Sequence, residues 1–341
     1  MRKLFVCVLT VFLSISASSA SSVVNPQGSI DPAKHMHVVN VLAFDESNGV
    51  KKGRTCGGVL IDNYHVLTAA HCLVGFSQID AVFGLDRQKS VSRVSGSGWV
   101  LHENYNDKTY ENDLALIKLS SRVGVKPVLL PTVSDTALLS KSNSIYLYGW
   151  GSNGTKKSDG RLYYAKQVDV TDNQNVKYNG FNPSVMIAAS YFNPKTKRYS
   201  GACKGDSGGP LLSSMNGLYL VGIVSYVAPS CNAKYPSVYT RVSAYLEWIN
   251  TNKLYLSRTL TADSIKITGG IESIRVQVDS DETGFNIICR NNEVSNYVTI
   301  NENDAEIGSP SGNYLCTLRV VTKSKVSSWS SEIPVYVFPK P

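Results

Sequence analysis

Short runs of apolar and β-branched residues recur along this chain of 341 residues, and they restrict its fold. Glycine, proline, asparagine and serine separate the runs, and many short strands at this spacing are typical of an all-β sandwich or barrel. The polar stretch 45–55 is predicted to be a turn region, and residues 244–254 a single helix with one buried side. The predicted strands before residue 255 are 38–44, 56–61, 65–68, 79–83, 98–101, 115–119, 145–148, 164–170, 211–212, 218–224 and 238–240.

Six further strand candidates predict a second, smaller β domain over residues 255–341. Tyr314 stands two positions before Cys316, as in the tyrosine corner of an immunoglobulin-like sandwich. Cys289 lies too close in sequence to Cys316 for the usual inter-sheet disulfide of that fold, so only half of the signature is present. We predict an immunoglobulin-like domain here, with strands at 265–267, 274–278, 285–289, 297–300, 314–321 and 333–338.

The N-terminus predicts a secretory signal peptide of residues 1–20. Arg2 and Lys3 give a positive start, residues 4–15 form a short apolar core, and small residues end the segment. The apolar run is too short for a membrane-spanning helix, and no other run in the sequence is long enough. A retained signal anchor is the alternative. We expect an exported chain without a transmembrane segment.

The chain has seven cysteines, of which Cys7 would leave with the signal peptide. An even number of cysteines in an exported chain predicts three disulfides, formed in an oxidising compartment. A zinc site is the alternative, but the chain has no C-x-x-C motif and no histidine near the later cysteines. The remaining cysteines are Cys56, Cys72, Cys203, Cys231, Cys289 and Cys316.

The formal net charge of +8 comes from scattered basic residues. Small clusters at 156–157 and 195–198 are typical of solvated loops, and no nucleic-acid-binding motif accompanies them. We therefore expect no nucleic-acid partner.

Ser207 stands between glycines in the stretch Gly205-Asp206-Ser207-Gly208-Gly209, where little side-chain bulk shields its hydroxyl. A serine hydroxyl is a weak nucleophile until a base takes its proton. The stretch also matches G-x-S-x-G, the nucleophile elbow of α/β-hydrolases, but those enzymes place their histidine after the serine. All five histidines precede Ser207, which argues strongly against the elbow.

His71 is the candidate base, because it ends an apolar run beside Cys72 and a bridge to Cys56 could fix its position. His65 is interpreted as a strand residue and His102 as a surface residue.

His35 and His37 are spaced to share one strand face and could bind a metal. With no third ligand visible, an edge strand is favoured. We expect neither a metal nor a cofactor.

Asp113 is the candidate carboxylate, at the head of the apolar stretch 114–117. A buried carboxylate there could hold the imidazole of His71 in one tautomer and stabilise the imidazolium. The alternative is that Asp113 only caps a turn.

The segments 68–72, 112–116 and 205–210 together resemble the motifs of the trypsin/chymotrypsin family of serine endopeptidases. Their order, His then Asp then Ser, is that of this family and not of the subtilisins. The resemblance covers about residues 23–254. Further matching segments are 56–61, 149–151, 236–242 and 248–249.

The resemblance implies a fold and a mechanism. The fold is a pair of six-stranded antiparallel β-barrels with the catalytic residues between them, followed by the smaller β-sandwich. Ser207 would attack the scissile carbonyl, His71 would move its proton to the leaving amine, and Asp113 would orient His71. The backbone N–H groups of Gly205 and Ser207 would form the oxyanion hole. The implied disulfides are Cys56–Cys72 and Cys203–Cys231, leaving Cys289–Cys316 for the second domain.

The resemblance also implies the residues of the S1 pocket. Gly201, six positions before the serine, supplies no countercharge for a lysine or arginine of the substrate. Val227, in the wall segment Ser225-Tyr226-Val227, should narrow the slot, and Ser237 should form the other wall. The pattern resembles elastases, which cut after small aliphatic residues. A chymotrypsin-like preference for larger apolar residues is the alternative.

Family zymogens are cut to free an amine that pairs with the acid before the nucleophile, which here is Asp206. The usual I-V-G-G is absent, and the best counterpart of the new N-terminus is Val23, with residues 21–22 as a short pro-segment. Val24 and Ile30 are alternatives.

Secreted bacterial members of the family can carry a C-terminal β domain, which implies a bacterial source and export through the periplasm. This domain could bind a surface, a glycan or a protein, or it could only support folding and export. Trp329 could contact a ligand, although core packing is favoured. The calcium loop of the family, residues 74–86 here, is shortened and acid-poor, so no calcium is expected. An inactive relative acting as a binding protein is the alternative to an active peptidase, but no residue of the triad is lost.

Overall fold

The computed structural model of the chain defines a β-rich molecule. No helix of the part that it describes is long and apolar enough to cross a membrane. The predicted signal peptide (1–20) and pro-segment (21–22) lie outside the described residues. Those residues are 23–47, 50–86, 89–90, 92–132, 136–152, 158–173, 176, 178–257, 265–269, 273–278, 285–291, 295–300, 304–321, 324–327, 329–330, 332–337 and 339–340.

Up to residue 257 the chain forms two β-barrels, two short strands that extend the second sheet, and two α-helices. In chain order they are β1 (Gly28–Ile30), β2 (Val38–Ser47), β3 (Val50–Leu60), β4 (His65–Thr68), α1 (Ala70–Leu73), β5 (Gln78–Phe83), β6 (Ser92–Leu101), β7 (Ala115–Leu119), β8 (Ser144–Gly149), β9 (Leu162–Asp169), β10 (Met186–Asn193), β11 (Arg198–Ser200), β12 (Pro210–Ser214), β13 (Leu218–Tyr226), β14 (Ser237–Arg241) and α2 (Leu246–Ser257).

The first barrel closes in the order β6-β5-β2-β3-β4-β7, because β7 pairs back to β6. The second closes in the order β9-β8-β12-β13-β14-β10, because β10 pairs back to β9. Short strands β1 and β11 extend the second sheet beyond this ring. All the pairings of the two rings are antiparallel, and closure removes exposed strand edges. The expected pair of six-stranded antiparallel barrels is confirmed.

Several elements differ from the sequence prediction, which lacks the short elements β1, α1 and β11 and differs most at residues 45–55 and at β10. The polar stretch 45–55 is not a turn region, because β2 and β3 continue through it as a paired hairpin up to Ser47 and Val50. Its residues 52–55 are exposed, so the backbone pairing forms without apolar side chains to mark it. Strand β10 was not predicted, because its alanines and serine have weak β propensity and only its burial between β9 and β14 makes it a strand.

Helix α2 packs on the first barrel and extends further than predicted. Leu256 is fully buried in the core of this barrel, and Lys118 Nζ donates to the Leu256 carbonyl at 2.8 Å. The predicted domain boundary after residue 254 falls inside this helix, which ends at Ser257, and the division into domains stays a prediction. No glycine or proline marks the end of the helix in the sequence at that point.

The C-terminal unit has two sheets around one core. One sheet has the order β15-β16-β19 and the other β18-β17-β20-β22. The strands are β15 (Ile265–Gly269), β16 (Ser273–Val278), β17 (Phe285–Arg290), β18 (Ser295–Ile300), β19 (Asp304–Gly308), β20 (Gly312–Val320), β21 (Lys325–Val326) and β22 (Ile333–Val337).

The disulfide Cys289–Cys316 joins two directly opposed residues of neighbouring strands, so it lies within one sheet of the C-terminal unit. Tyr314 donates its hydroxyl to the Pro310 carbonyl at 2.9 Å, which is the hydrogen bond of a tyrosine corner. This bond supports the immunoglobulin-like assignment, which stays a prediction. The other two disulfides are Cys56–Cys72 and Cys203–Cys231, as the resemblance implies.

The C-terminal unit is joined to the first barrel by strand pairing. Strand β21 pairs antiparallel with β6, and Leu101 N donates to the Ser324 carbonyl at 2.7 Å. Strand β5 pairs with residues 92–95 of β6. Strand β21 then pairs with residues 99 and 100 of β6, along the same edge of that strand. Val326 is buried in the core of the first barrel.

Replacing Val326 by alanine should lower the free energy of unfolding by about 2 kcal/mol, because it removes two methyl groups from a packed core. Val74→Ala is the matched control, since Val74 is 49% exposed, and it should change the free energy by less than about 0.5 kcal/mol. Urea unfolding followed by tryptophan fluorescence measures both. Equal effects of the two changes would contradict the packing of Val326 in the barrel core.

Candidate active site

His71 and Asp113 are brought together by the pairing of β4 and β7. Thr68 at the end of β4 lies opposite Ala115 at the start of β7. His71 follows β4 in helix α1, and Asp113 precedes β7, so the two side chains meet at the same end of the pair. The distance between His71 Nδ1 and Asp113 Oδ2 is 2.7 Å, and the His71 backbone N–H donates to Asp113 Oδ1 at 2.9 Å.

Asp113 is fully buried, and its carboxylate and its backbone carbonyl are both held by residues of the second barrel. Ser225 Oγ, on β13, donates to Asp113 Oδ2 at 2.6 Å, and Thr240 Oγ1, on β14, donates to the Asp113 carbonyl at 2.8 Å. An ionised carboxylate only accepts hydrogen bonds, so His71 must present Nδ1–H to it. The other ring nitrogen, Nε2, lies 3.7 Å from Cys72 Sγ, a disulfide sulfur that has no proton to donate, so Nε2 can still accept a proton.

The loop that carries Ser207 packs against the strand that leads to His71. Gly57 N donates to the Ser207 carbonyl at 2.7 Å, and Thr68 Oγ1 donates to the Gly57 carbonyl at 2.8 Å. A Cβ at Gly57 would lie 2.6 Å from Gly209 Cα, so only glycine allows this approach. Gly208 adopts φ +76°, and a Cβ there would lie 2.2 Å from Thr68 Oγ1. These contacts hold the Ser207 loop beside the β4–α1 turn.

The backbone N–H groups of Gly205 and Ser207 donate to no other residue in the described part of the chain. Gly205 has φ +96°, a left-handed conformation that favours glycine. Two free N–H groups beside a serine hydroxyl can bind a carbonyl oxygen that gains negative charge.

Asp206 is fully buried directly before the serine. Its two carboxyl oxygens accept hydrogen bonds from Gly151 N and Cys203 N, each at 2.8 Å. A Cβ at Gly149 or Gly151 would lie within 2.6 Å of its side chain, which explains the Gly-Trp-Gly motif. Among the described residues no cation pairs with it. Burial raises the pKa of Asp206 to about 7, against the lowering effect of the two backbone hydrogen bonds.

The predicted S1 residues lie together on β13, β14 and the segment before Ser207. Ser237 Oγ accepts a hydrogen bond from Ala202 N at 2.9 Å, and a Cβ at Gly201 would lie 2.9 Å from this same oxygen. Ser237 and Gly201 therefore lie side by side and place no charged group at this position. Val227 packs partly buried against the core of the second barrel. Ser225 binds Asp113 and so links this wall to the His71–Asp113 pair.

The family model described as Trypsin matches residues 32–249, well over half of the chain. The chain belongs to the trypsin family. It is therefore a serine endopeptidase by family, and the matched region covers both barrels and ends before the C-terminal unit.

Three relatives show the same kinship. A chymotrypsin from Phaedon cochleariae is 30% identical over 226 residues, which are 63% of this chain and 78% of the relative. Chymotrypsin-2 from Vespa crabro is 35% identical over 208 residues, 58% of this chain and 89% of the relative. Chymotrypsin-like elastase family member 1 from Felis catus is 34% identical over 224 residues, 61% of this chain and 82% of the relative.

The sequence prediction missed a row of tyrosines at the cleft of this protease. The Tyr110 ring lies 5.9 Å from the His71 ring and 5.5 Å from the Tyr226 ring, and Tyr178 lies 5.5 Å from Tyr226. Tyr178 donates its hydroxyl to the Pro236 carbonyl at 2.7 Å. Of these, only Tyr226 was predicted, because the others come from separate loops without a shared motif. Tyr110 lies three positions before Asp113 in the sequence, and this closeness was the signal that could have predicted a tyrosine beside His71.

The remaining histidines lie away from the protease cleft. His65 pairs with Asp62 at 2.9 Å, and the His102 ring stacks on Trp248 with centroids 5.3 Å apart. His35 and His37 lie with their rings 5.6 Å apart.

One cluster of three potential metal ligands occurs in the described residues, formed by Cys56, His71 and Cys72. Both cysteines are in the disulfide, so the cluster offers no thiolate.

Asp206 should make the stability of the uncleaved protease depend on pH. The native state holds this proton up to about pH 7, whereas an unfolded aspartate releases it near pH 4. Between these values the native state binds more protons, so the free energy of unfolding falls as the pH rises. Stability is fully present below about pH 4, and up to about 4 kcal/mol is lost by pH 7, since one pKa unit is worth about 1.4 kcal/mol.

Urea unfolding from pH 4 to 8 tests this in a Ser207→Ala background, which prevents self-cleavage. The same series with Asp206→Asn is the control, because the amide does not titrate. As the pH rises, the free energy of unfolding of the protein with Asp206 should fall relative to that of the Asp206→Asn variant. A difference that stays constant with pH would contradict the raised pKa.

Proposed function

We propose that this protease hydrolyses peptide bonds through an acyl-enzyme formed on Ser207, with a preference for small aliphatic residues at P1. The observation that carries the mechanism is the hydrogen bond between His71 Nδ1 and the buried Asp113 carboxylate, which leaves Nε2 to act as the base. The polypeptide substrate would lie in the cleft between the barrels.

The reaction divides into two steps. Ser207 Oγ attacks the scissile carbonyl as His71 Nε2 takes its proton, and the buried Asp113 carboxylate stabilises the imidazolium that forms. The N–H groups of Gly205 and Ser207 bind the oxyanion, and His71 passes the proton to the leaving amine. Water then attacks the ester by the same route in reverse, so that the acid product leaves and Ser207 regains its hydroxyl hydrogen.

Ser207→Ala should lower kcat/KM by about 10⁶-fold, because the nucleophile is lost. Ser214→Ala is the control, since this serine is exposed at the end of β12 away from the cleft, and it should retain full activity. Hydrolysis of a chromogenic peptide ending in alanine or valine measures both.

The competing hypothesis is an inactive homologue that binds polypeptides. It would be supported by the absence of turnover in a protein with a defined mature N-terminus, together with no labelling of Ser207 by a peptidyl phosphonate. Labelling without turnover of small peptides would point instead to a different P1 preference.

The absence of a charge at Gly201, the proposed base of the pocket, and at Ser237, its proposed wall, supports this specificity, because a buried lysine or arginine of the substrate would lack a countercharge. Val227 on the wall favours small P1 side chains over aromatic ones. The elastase-named relatives from cat and dog, 34% and 32% identical, are consistent with this preference. A chymotrypsin-like preference is the second candidate, favoured by the relatives named chymotrypsin.

Val227→Gly should widen the slot and raise kcat/KM for a phenylalanine P1 relative to an alanine P1. We expect the ratio to change at least about 10-fold, since one methylene in an apolar pocket is worth about 10–200-fold. Paired chromogenic peptides that differ only at P1 give the ratio, and Val74→Ala serves as the exposed control. A ratio unchanged from the parent protein would remove Val227 from the specificity-determining residues.

We further propose that cleavage before Val23 activates the protease. Val23 is fully buried in the core of the second barrel, and Val24 N donates to the Gly201 carbonyl at 2.9 Å. Val23 has φ +66°, which is unfavourable for a β-branched residue inside a chain. Cleavage removes the peptide bond that fixes this angle, and the freed amine would supply the cation that Asp206 lacks.

The proposed setting is extracellular, with export through the periplasm of a bacterium. The C-terminal unit is proposed to be immunoglobulin-like, and to bind a surface, a glycan or a protein substrate. The tyrosine-corner hydrogen bond of Tyr314 supports the first point.

A further inference from the structure

Arg319 lies where the C-terminal unit meets the first barrel. It is on β20 and is only 8% exposed. Its guanidinium carbon lies 4.6 Å from the centroid of the Trp329 ring and 5.7 Å from that of Trp99 on β6. One indole comes from each unit, so Arg319 is held between them. We call the region formed by Trp99, Arg319 and Trp329 the unit junction.

The guanidinium group of Arg319 has no anionic partner among the described residues. It forms no hydrogen bond and no ion pair there, and its buried Nε atom has no acceptor. A buried charge without a counter-charge is costly, and stacking on aromatic faces offsets only part of that cost. Of the five N–H donors that arginine has in a fixed plane, the buried Nε–H of Arg319 is left without an acceptor among the described residues.

Two cavities meet at the unit junction, one of about 530 Å³ and one of about 410 Å³. Both are lined by Ser77, Trp99 and Arg319. Lys325 adds a second cation to the smaller cavity, and the described residues that line it include no carboxylate.

The larger cavity has one carboxylate, that of Asp80. It is already neutralised, because Arg93 forms an ion pair with it and Ser95 Oγ donates to it at 2.7 Å. An anion near Arg319 would therefore meet an arginine without a counter-charge and a carboxylate that is already paired, while Lys325, which also interacts with Glu103, lies beside the smaller cavity.

We propose that the unit junction binds an oxyanion, a carboxylate or a phosphate- or sulfate-like group, on the guanidinium of Arg319. The planar fork of N–H donors matches two oxygens of such a group, and the indole faces keep the guanidinium in place. The cavities are in the size range of small-molecule sites, so they have room for more than a single small ion. Because the site is built from both units, a bound anion stabilises their association.

Thermal unfolding of the full chain with Ser207→Ala tests the proposal at constant ionic strength, with chloride as the reference. The probes are acetate, phosphate, sulfate, and a blocked peptide containing glutamate beside the same peptide containing glutamine. At tenfold excess over its Kd an effective probe should raise the unfolding midpoint by about 3 °C. Arg319→Gln should abolish the rise. Arg290→Gln should keep it, since Arg290 is exposed and pairs with Glu332.

A second measurement does not need the Arg319 variant to fold. Phenylglyoxal modifies arginines, and peptide mapping gives the rate at each of them. The effective probe should slow the modification of Arg319 at least about threefold without changing that of Arg290.

The outcomes are distinct. A small free anion is the ligand if only acetate, phosphate or sulfate acts, and a peptide carboxylate is the ligand if the glutamate peptide acts and the glutamine peptide does not. Equal midpoint shifts in Arg319→Gln and Arg290→Gln, or unprotected Arg319, would overturn the proposal.

Discussion

The two barrels are joined through one buried carboxylate. Asp113 belongs to the first barrel, yet its carboxylate accepts hydrogen bonds from Ser225 of the second barrel as well as from His71, and its backbone carbonyl accepts one from Thr240. A buried carboxylate must have its acceptors satisfied. Few other placements of one barrel relative to the other would satisfy them. The same contacts that fix this arrangement also fix the tautomer of His71. The packing of the two barrels therefore also sets the tautomer in which His71 can act as the base.

Close backbone approach is the second constraint, and glycines make it possible. The Ser207 loop lies against Gly57, and the Asp206 carboxyl group occupies the space that side chains at Gly149 and Gly151 would take. The motifs around these glycines are thus steric requirements of the site. They leave the serine hydroxyl and two N–H groups in one uncrowded place.

Much of this could be predicted from the sequence, because the chemistry needs particular residues in short motifs. The His71, Asp113 and Ser207 segments are such motifs, and the family resemblance that they carry implied the disulfide pairs. Strand β10 could not be predicted, since its alanines become a strand only between two neighbours. The tyrosine row was missed for a related reason, because Tyr110 and Tyr178 come from two separate loops and meet Tyr226 only at the end of β13. The end of α2 and strand β21 depend on tertiary packing that no local pattern records.

The pairing of β21 with β6 has a consequence for handling the protein. A chain shortened to end at residue 254 would lack the last turn of α2 and the strand that covers residues 99 and 100. It would uncover the Trp99 ring and free backbone N–H and C=O groups on the same edge. Open strand edges with apolar side chains pair between molecules. The isolated barrels would thus tend to self-associate, and low solubility of such a fragment would reflect its exposed edge and not a failure of the barrels to fold.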